Sequence, residues 1–174
     1  MVALLELIHL VKSNMTNRQK AQQFLDQIIR PVLGEMDMWS KSAEKLMLMT
    51  ACHESGGFQW QRQLNGGPAL SWYQIEPRTA KDLYNSYLAY RPTMRDKLRA
   101  YEPENGTIED ALMDGRYATA LARLIYYRIP APIGAATDEN LAYYWKTYWN
   151  TALGKGTKKG FIEDWHRYKP EGYL

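Results

Sequence analysis

The most informative hydrophobic pattern runs from Leu46 to Gly57, where a long apolar stretch ends in a carboxylate and two glycines. None of the eight residues before Glu54 carries a formal charge at pH 7. Ser40 is well placed to be the N-cap of a helix that includes this stretch. The pattern therefore predicts a helix that is buried on nearly all sides. Gly56 and Gly57 supply the left-handed conformation that commonly ends a helix.

Glu54 is the carboxylate at the end of this helix. At 3.6 residues per turn, it shares a narrow arc with Ala43, Met47 and Thr50, so its side chain is predicted to point inward. A partly desolvated carboxyl has a raised pKa and can serve as a general acid near neutral pH. The alternative is a glutamate that turns out to solvent where the helix frays.

Helical periodicity and cap residues predict further helices along most of the chain, and the predicted fold class is mainly α. The first predicted helices cover residues 2–12 and a segment that begins at Thr16 and is ended by Pro31 and Gly34. The later ones run from Pro77 to about Tyr90, from Thr93 to Tyr101, from Thr107 to Pro130, through a segment that begins at Thr137, and from Phe161 to Arg167.

Glycine and proline interrupt the helical pattern between residues 55 and 76. A loop of this length within a domain is often functional, unless part of it forms strands. The segments GFQWQRQL and LSWYQIE have the composition of two short strands. We therefore predict a small β-hairpin around residues 58–76.

Length and composition indicate one soluble globular domain. The chain has 174 residues, of which 45% are hydrophobic and 24% charged. Such a chain can bury a substantial core. We divide it into a helical N-terminal part (1–39), a catalytic core (about 40–153) and a C-terminal loop with a short helix (154–174).

Charge and cysteine content exclude several classes of function. The net charge of +3 is scattered except at Lys155, Lys158 and Lys159, so nucleic-acid binding is not predicted. The single cysteine, Cys52, excludes an internal disulfide. The apolar first residues contain Glu6 and His9 and lack a basic start. They predict neither a signal peptide nor membrane insertion.

Familiar catalytic motifs are also absent from the sequence. His53 and Glu54 begin the zinc-protease pattern H-E-x-x-H, but the position of the second histidine is Gly57. Cys52 and His53 point in different directions on a helix and cannot pair well. No serine triad, phosphate-binding loop, metal site or cofactor site is predicted.

Two segments together resemble the lytic transglycosylases and goose-type lysozymes. HESGGF at 53–58 is similar to the family's catalytic Glu-Ser at a helix end. SWYQIEPRTA at 71–80 is similar to its G-L-M-Q-I-x-P-x-T-A segment, which follows about 20 residues later. The resemblance covers roughly residues 40–85. It implies a lysozyme-like helical domain that cleaves the β-1,4 bond between N-acetylmuramic acid and N-acetylglucosamine in peptidoglycan.

The resemblance assigns roles to individual residues. Glu54 would be the general acid and base. Substrate-binding residues would be Ser55, Tyr73 and Gln74 in the matching segments and, through looser similarity of the later helices, Tyr126, Tyr127, Tyr144 and Asn150. Two places depart from the family pattern: Ser71-Trp72-Tyr73 stands where Gly-Leu-Met is usual, and Tyr148-Trp149-Asn150 stands in place of an A-Y-N segment.

Two mechanisms remain open at this point. A lytic transglycosylase resembles a one-acid enzyme in which the sugar's own 6-hydroxyl closes an anhydro ring. An inverting hydrolase needs a second carboxylate to activate water. Glu76 stands where goose-type lysozymes place an acid, although it could instead only cap the helix that begins at Pro77. The departures from the family pattern also leave open a non-catalytic virion structural or glycan-binding protein with the same fold.

The expected biological setting follows from the same features. Peptidoglycan glycan strands are the expected partner, with other virion proteins as further partners, and the protein is expected to be a monomer. A phage-encoded lysin or virion-associated enzyme fits a chain without a signal peptide. It would stay in the host cytoplasm before release or travel in the virion, and act in the periplasm or cell wall.

Overall fold

The computed structural model describes residues 14–174, and over this range the protein is mainly helical with almost no strand. The helix predicted for residues 2–12 lies outside the described residues. The α-helices, numbered in chain order, are α1 (Asn17–Phe24), α2 (Arg30–Glu35), α3 (Lys41–Glu54), α4 (Pro77–Asp82), α5 (Pro92–Arg99), α6 (Ile108–Met113), α7 (Gly115–Tyr127), α8 (Asp138–Trp145) and α9 (Lys158–Tyr168).

The leading helix begins as predicted, at Thr16. Thr16 and Gln19 form a capping box in which each side chain accepts a hydrogen bond from the other's backbone N–H, at 3.2 and 2.8 Å. A wide π-helical turn, Leu25–Ile29, joins α1 to α2. The helix therefore passes through Pro31, which needs no N–H donor in the first turn of α2, and ends just after Gly34.

The central helix α3 agrees closely with the prediction. Ser40 is its N-cap and accepts a hydrogen bond from the backbone N–H of Ala43 at 3.0 Å. Every residue from Ala43 to Cys52 is buried. The surrounding layer consists of α7, α8, α9 and the π-helical turn at Leu25–Ile29. Helix α3 is thus the core element, and Glu54 is its last residue.

The end of α3 is formed by glycines in the left-handed region, as predicted. Gly56 and Gly57 have φ angles of 60° and 72°. The backbone N–H of Gly57 donates to the carbonyl of Cys52 at 2.8 Å, which closes the last turn. The chain can therefore leave α3 sharply beside Glu54.

Two predicted elements differ from the structure. The helix expected from Thr107 to Pro130 breaks at Asp114, whose extended backbone (φ −81°, ψ 124°) lets its side chain cap α7 through the N–H groups of Arg116 and Tyr117. The hairpin predicted around 58–76 is wrong. In the described chain this segment forms only isolated antiparallel bridges, joining Leu70 to Arg62 and to Ile75. The backbones of Leu70 and Ile75 bond to each other in both directions, at 2.8 and 2.9 Å, so the chain reverses after only four residues.

The C-terminal part surrounds the end of α3. Thr137 caps α8 as predicted, and a π-helical turn, Lys146–Asn150, continues it. The last helix, α9, begins three residues before the predicted Phe161 because Thr157 caps it. Helix α9 packs against both α3 and α8. None of the helices between residues 14 and 174 is long and apolar enough to cross a membrane.

Gly57 gives a test of this packing. A Cβ atom at Gly57 would lie 2.6 Å from the ring of Tyr168, whereas one at Gly66 would meet nothing within 4 Å; both glycines have left-handed φ angles, 72° and 73°. We expect Gly66→Ala to lower the free energy of unfolding by about 1 kcal/mol, through backbone strain alone. Gly57→Ala should cost about 1–3 kcal/mol more because of overpacking. Urea denaturation of both variants measures the difference, and equal costs would contradict the close contact with α9.

Candidate active site

The carboxyl group of Glu54 lies inside a ring of aromatic side chains. Glu54 is half-buried, and the indole Nε1–H of Trp145 donates to its Oε1 at 3.1 Å. Burial raises the pKa of Glu54 to about 7, while hydrogen bonds from the Trp145 and Trp149 side chains act in the opposite direction. The side chain therefore points inward, as predicted, and does not extend into solvent.

Helix α9 holds Trp145 in place. The indole of Trp145 stacks on the ring of Phe161, with ring centroids 4.4 Å apart and an interplanar angle of 13°. His53 packs edge-on against Trp145 at 4.8 Å, and its Nδ1 forms a hydrogen bond with Asp164 Oδ2 at 2.7 Å. The donor to Glu54 is thus fixed by a stack from one side and by the His53–Asp164 pair from another.

Helix α7 contributes Tyr126 on a further side of the site. The hydroxyl of Tyr126 and Oγ1 of Thr50 form a hydrogen bond of 2.9 Å, one helical turn before Glu54. The ring of Tyr126 lies 4.9 Å from the ring of Trp149, between centroids. Because α8 and its π-helical turn carry Trp145 and Trp149 four residues apart, both indoles reach the end of α3.

Ser55 and Gln74 brace the loop that follows Glu54. The Ser55 hydroxyl donates to the carbonyl of Ala51 at 2.6 Å and accepts from the N–H of Phe58 at 2.7 Å. The Gln74 side-chain amide donates to the carbonyls of Trp60 and Ser71 at 3.2 and 2.9 Å. The backbone N–H of Trp60 in turn donates to the carbonyl of Ser55 at 3.0 Å, so Trp60 links residues 53–58 to residues 71–80.

The same loop contains an unusual concentration of strained backbone. Phe58, Ser71 and Gln74 have φ angles of 64°, 73° and 49°, in the left-handed region that side chains other than glycine rarely adopt. Such conformations cost about 1–3 kcal/mol each and cluster at functional sites. Their position in the loop that follows Glu54 agrees with a functional role for this loop.

Tyr73 and Ser55, two of the predicted substrate-binding residues, lie beneath the surface of the site. Both residues have 0% exposure. The hydroxyl of Tyr73 is hydrogen-bonded to Thr119 Oγ1 at 3.1 Å, and its ring packs against Phe24 and Trp149. A bulky tyrosine in place of the usual methionine fills the core under the loop, so it supports the site from inside.

Glu76 occupies the N-cap position of α4, but its side chain makes no capping hydrogen bond. Its Oε2 instead lies 2.5 Å from Nε of Arg78, an 84% exposed side chain. A surface ion pair of this kind is weak and easily exchanged. The capping alternative thus lacks its hydrogen bond, and the water-activating role stays a prediction.

The later predicted residues fall into two groups. Tyr126, Tyr127 and Tyr144 line one cavity of about 600 Å³, which Glu54 does not line. Tyr127 is exposed, whereas Tyr126 and Tyr144 are buried. Asn150 lies elsewhere, at the end of the π-helical turn, where its Oδ1 accepts from Nζ of Lys146 at 2.6 Å. Asn150 therefore organises the loop before α9.

Sequence reasoning missed the groups that touch or support Glu54: Trp145, Trp149, His53 and Asp164. The spacing of the two tryptophans within LAYYWKTYWN places them on one helical face, which is a usable signal. For His53 and Asp164, 111 residues apart, the sequence offers no local signal.

In the described part of the chain, no group of three or more His, Cys, Asp or Glu side chains is arranged to hold a metal ion.

No protein-family model matches the chain, and neither the curated proteins nor the solved structures include a match to it.

The raised pKa of Glu54 predicts how stability depends on pH. The folded state keeps the proton up to about pH 7, whereas the unfolded chain releases it near 4.5. A raised folded pKa stabilises the protein below the unfolded pKa, and this contribution is lost as pH rises through about 7. We expect Glu54→Gln to gain about 3 kcal/mol relative to the parent between pH 4 and pH 8.

Urea denaturation at several pH values measures this gain. Glu104→Gln, at an exposed loop position, is the matched control and should follow the parent throughout. A difference between Glu54→Gln and the parent that does not change with pH would show that the Glu54 carboxyl titrates normally.

Proposed function

We propose that the protein cleaves the β-1,4 bond between N-acetylmuramic acid and N-acetylglucosamine in peptidoglycan, with Glu54 as general acid and base. The observation that carries the proposal is the half-buried Glu54 carboxyl, whose pKa is raised to about 7 at the end of a buried helix. The paired resemblance of residues 53–58 and 71–80 supplies the substrate class. The phage setting inferred from the sequence belongs to the same proposal.

A carboxyl group with a pKa of about 7 suits the first chemical step. Near neutral pH a substantial fraction of the molecules hold the proton, which Glu54 would donate to the leaving glycosidic oxygen. The Trp145 indole N–H would then stabilise the resulting carboxylate, since it donates to Oε1. Burial thus favours the protonated form of Glu54 before this step, and the indole hydrogen bond favours the carboxylate formed by it.

The second step distinguishes two reaction types. With Glu54 alone, its carboxylate accepts the proton of the sugar's 6-hydroxyl as that oxygen attacks the anomeric carbon, and a 1,6-anhydro end forms. With a second carboxylate, a water molecule attacks and a reducing end forms. Because the side chains that act on the Glu54 carboxyl in the described structure are Trp145 and Trp149, with no second carboxylate among them, we favour the one-carboxylate route.

Glu54→Gln tests the proposal directly. The amide keeps the shape of the side chain but cannot donate a proton of suitable acidity, so wall-lytic activity should fall by about 100-fold or more. The assay is the clearing of a suspension of bacterial cell walls at pH 6–7. Glu104→Gln, the exposed matched control, should retain the parental rate. Full activity in Glu54→Gln would contradict the catalytic role, and an inactive parent would favour a non-catalytic glycan-binding protein.

Glu76→Gln separates the two reaction types. On the one-carboxylate route, the variant should release 1,6-anhydro products at a rate within about twofold of the parent, because its surface ion pair with Arg78 contributes little. Mass spectrometry of the released fragments identifies the ends. The contrary result would be reducing-end products in the parent that are lost in Glu76→Gln but kept in Arg78→Gln. It would overturn this route and make Glu76 the base that activates water.

A further inference from the structure

A buried arginine without an acidic partner lines the cavity of about 600 Å³ beside Tyr126. Arg123, in α7, is 8% exposed, and its Nε donates to the carbonyl of Met38 at 3.2 Å. No Asp or Glu of the described chain lies within ion-pair distance of its guanidinium. Burial lowers the pKa of Arg123. A buried cation of this kind is costly unless something compensates its charge.

The rest of the cavity offers no negative charge either. Its lining contains no acidic residue and combines three tyrosines, Tyr126, Tyr127 and Tyr144, with the aliphatic segment Ile129–Gly134. The Arg123 guanidinium lies 5.2 Å from the centroid of the Tyr127 ring. Aromatic faces attract a cation but do not neutralise it. The open charge of Arg123 therefore faces a space of ligand size.

The N-terminus of α3 borders the same space. Ser40, its N-cap, and Ser42 both line the cavity. In a helix of 14 residues, the first turn carries a partial positive charge and orphan N–H groups. The Ser40 side chain occupies the N–H of Ala43, so the N–H groups of Lys41 and Ser42 stay available among the described contacts. An arginine and a helix N-terminus thus meet at one cavity, and both favour an anion.

The cavity wall is held in place before any ligand binds. The Tyr144 hydroxyl donates to the carbonyl of Ala131 at 2.8 Å, and Asn140 Nδ2 donates to that of Ile133 at 2.7 Å. Ser42 Oγ donates to the carbonyl of Gly134 at 2.6 Å. Three side chains from two helices therefore fix the 129–134 segment, which reduces the entropy lost on binding.

We propose that this cavity, the Arg123 cavity, binds a carboxylate group carried by the cell-wall strand. The inference rests on the proposed function. Muramic acid carries a lactyl carboxylate where no peptide is attached, and where a peptide is attached that peptide carries its own carboxylates. Arginine can hold either carboxylate through two parallel hydrogen bonds. Tyr126 lines the cavity and its ring contacts Trp149 beside Glu54, so a single side chain lies between the two sites.

The test compares three ligands by calorimetry, all with Glu54→Gln so that none is cleaved. The ligands are a disaccharide-peptide, the peptide-free disaccharide with its lactyl carboxylate, and uncharged chitotetraose. Adding Arg123→Gln should weaken at least one of the two carboxylate ligands by about tenfold or more and leave chitotetraose unchanged. Whichever ligand is weakened identifies the source of the carboxylate.

Two controls separate charge from fold. Arg128→Gln removes the same charge from the end of α7, where Arg128 pairs with Asp82 outside the cavity, and should leave all three affinities unchanged. If the protein with Arg123→Gln does not fold, the test uses the backbone amide chemical shifts of the Glu54→Gln protein, which keeps Arg123. The amides of Lys41 and Ser42 should move with a carboxylate ligand and stay in place with chitotetraose.

Three results overturn the inference, and they differ from failure of the proposed function. Unchanged affinity for the carboxylate ligands in Arg123→Gln overturns it, as does an equal loss for all three ligands, or Lys41 and Ser42 amides that do not respond. In each case the Glu54 proposal survives if chitotetraose or the disaccharides bind. Failure of the Glu54→Gln protein to bind any of the three would refute the glycan-cleaving function and this inference together.

Discussion

The hydrogen bond from Trp145 to Glu54 is the contact on which the site depends. It ties the end of the buried helix α3 to α8, two elements 91 residues apart in the sequence. Trp145 can hold this position because Phe161 of α9 stacks on it and His53 packs against its edge. The packing of three helices therefore decides the surroundings of one carboxyl group. Those surroundings raise the pKa of Glu54 to about 7.

The ionisable side chains in the interior differ in how fully their charges are compensated by neighbouring groups. Buried Glu44 is compensated by Arg30, Trp39 and Tyr173, so its carboxylate is satisfied within the fold. Glu54 has the indoles of Trp145 and Trp149 but no cation paired with it in the described chain, and Arg123 has a backbone carbonyl and the Tyr127 ring but no acid. Incomplete compensation is costly for stability, and a bound substrate could supply what the fold leaves out. Glu54 and Arg123 are therefore the positions where we place function.

Local patterns in the sequence predicted most of the helices and the position of Glu54 at the end of one of them. The N-caps Thr16, Ser40, Thr107 and Thr137 are all present in the structure, as are the glycines that end α3. Caps and helical periodicity involve residues within a few positions of one another, so a single stretch of sequence contains the whole signal. The inward direction of Glu54 followed from the same periodicity. Prediction failed where local options competed, as at Asp114, which could continue a helix or cap a new one.

Contacts between distant segments could not be predicted in this way. Tyr73 and Ser55 lie in the segments that resemble the family, yet packing buries both and leaves them supporting roles. Arg123 looked like one more scattered basic residue until the folded chain enclosed it without an acid. Burial and pairing depend on which helices meet, a global property of the chain that no short pattern contains. The sequence thus determined that Glu54 ends a buried helix, and only the tertiary structure decided what surrounds it.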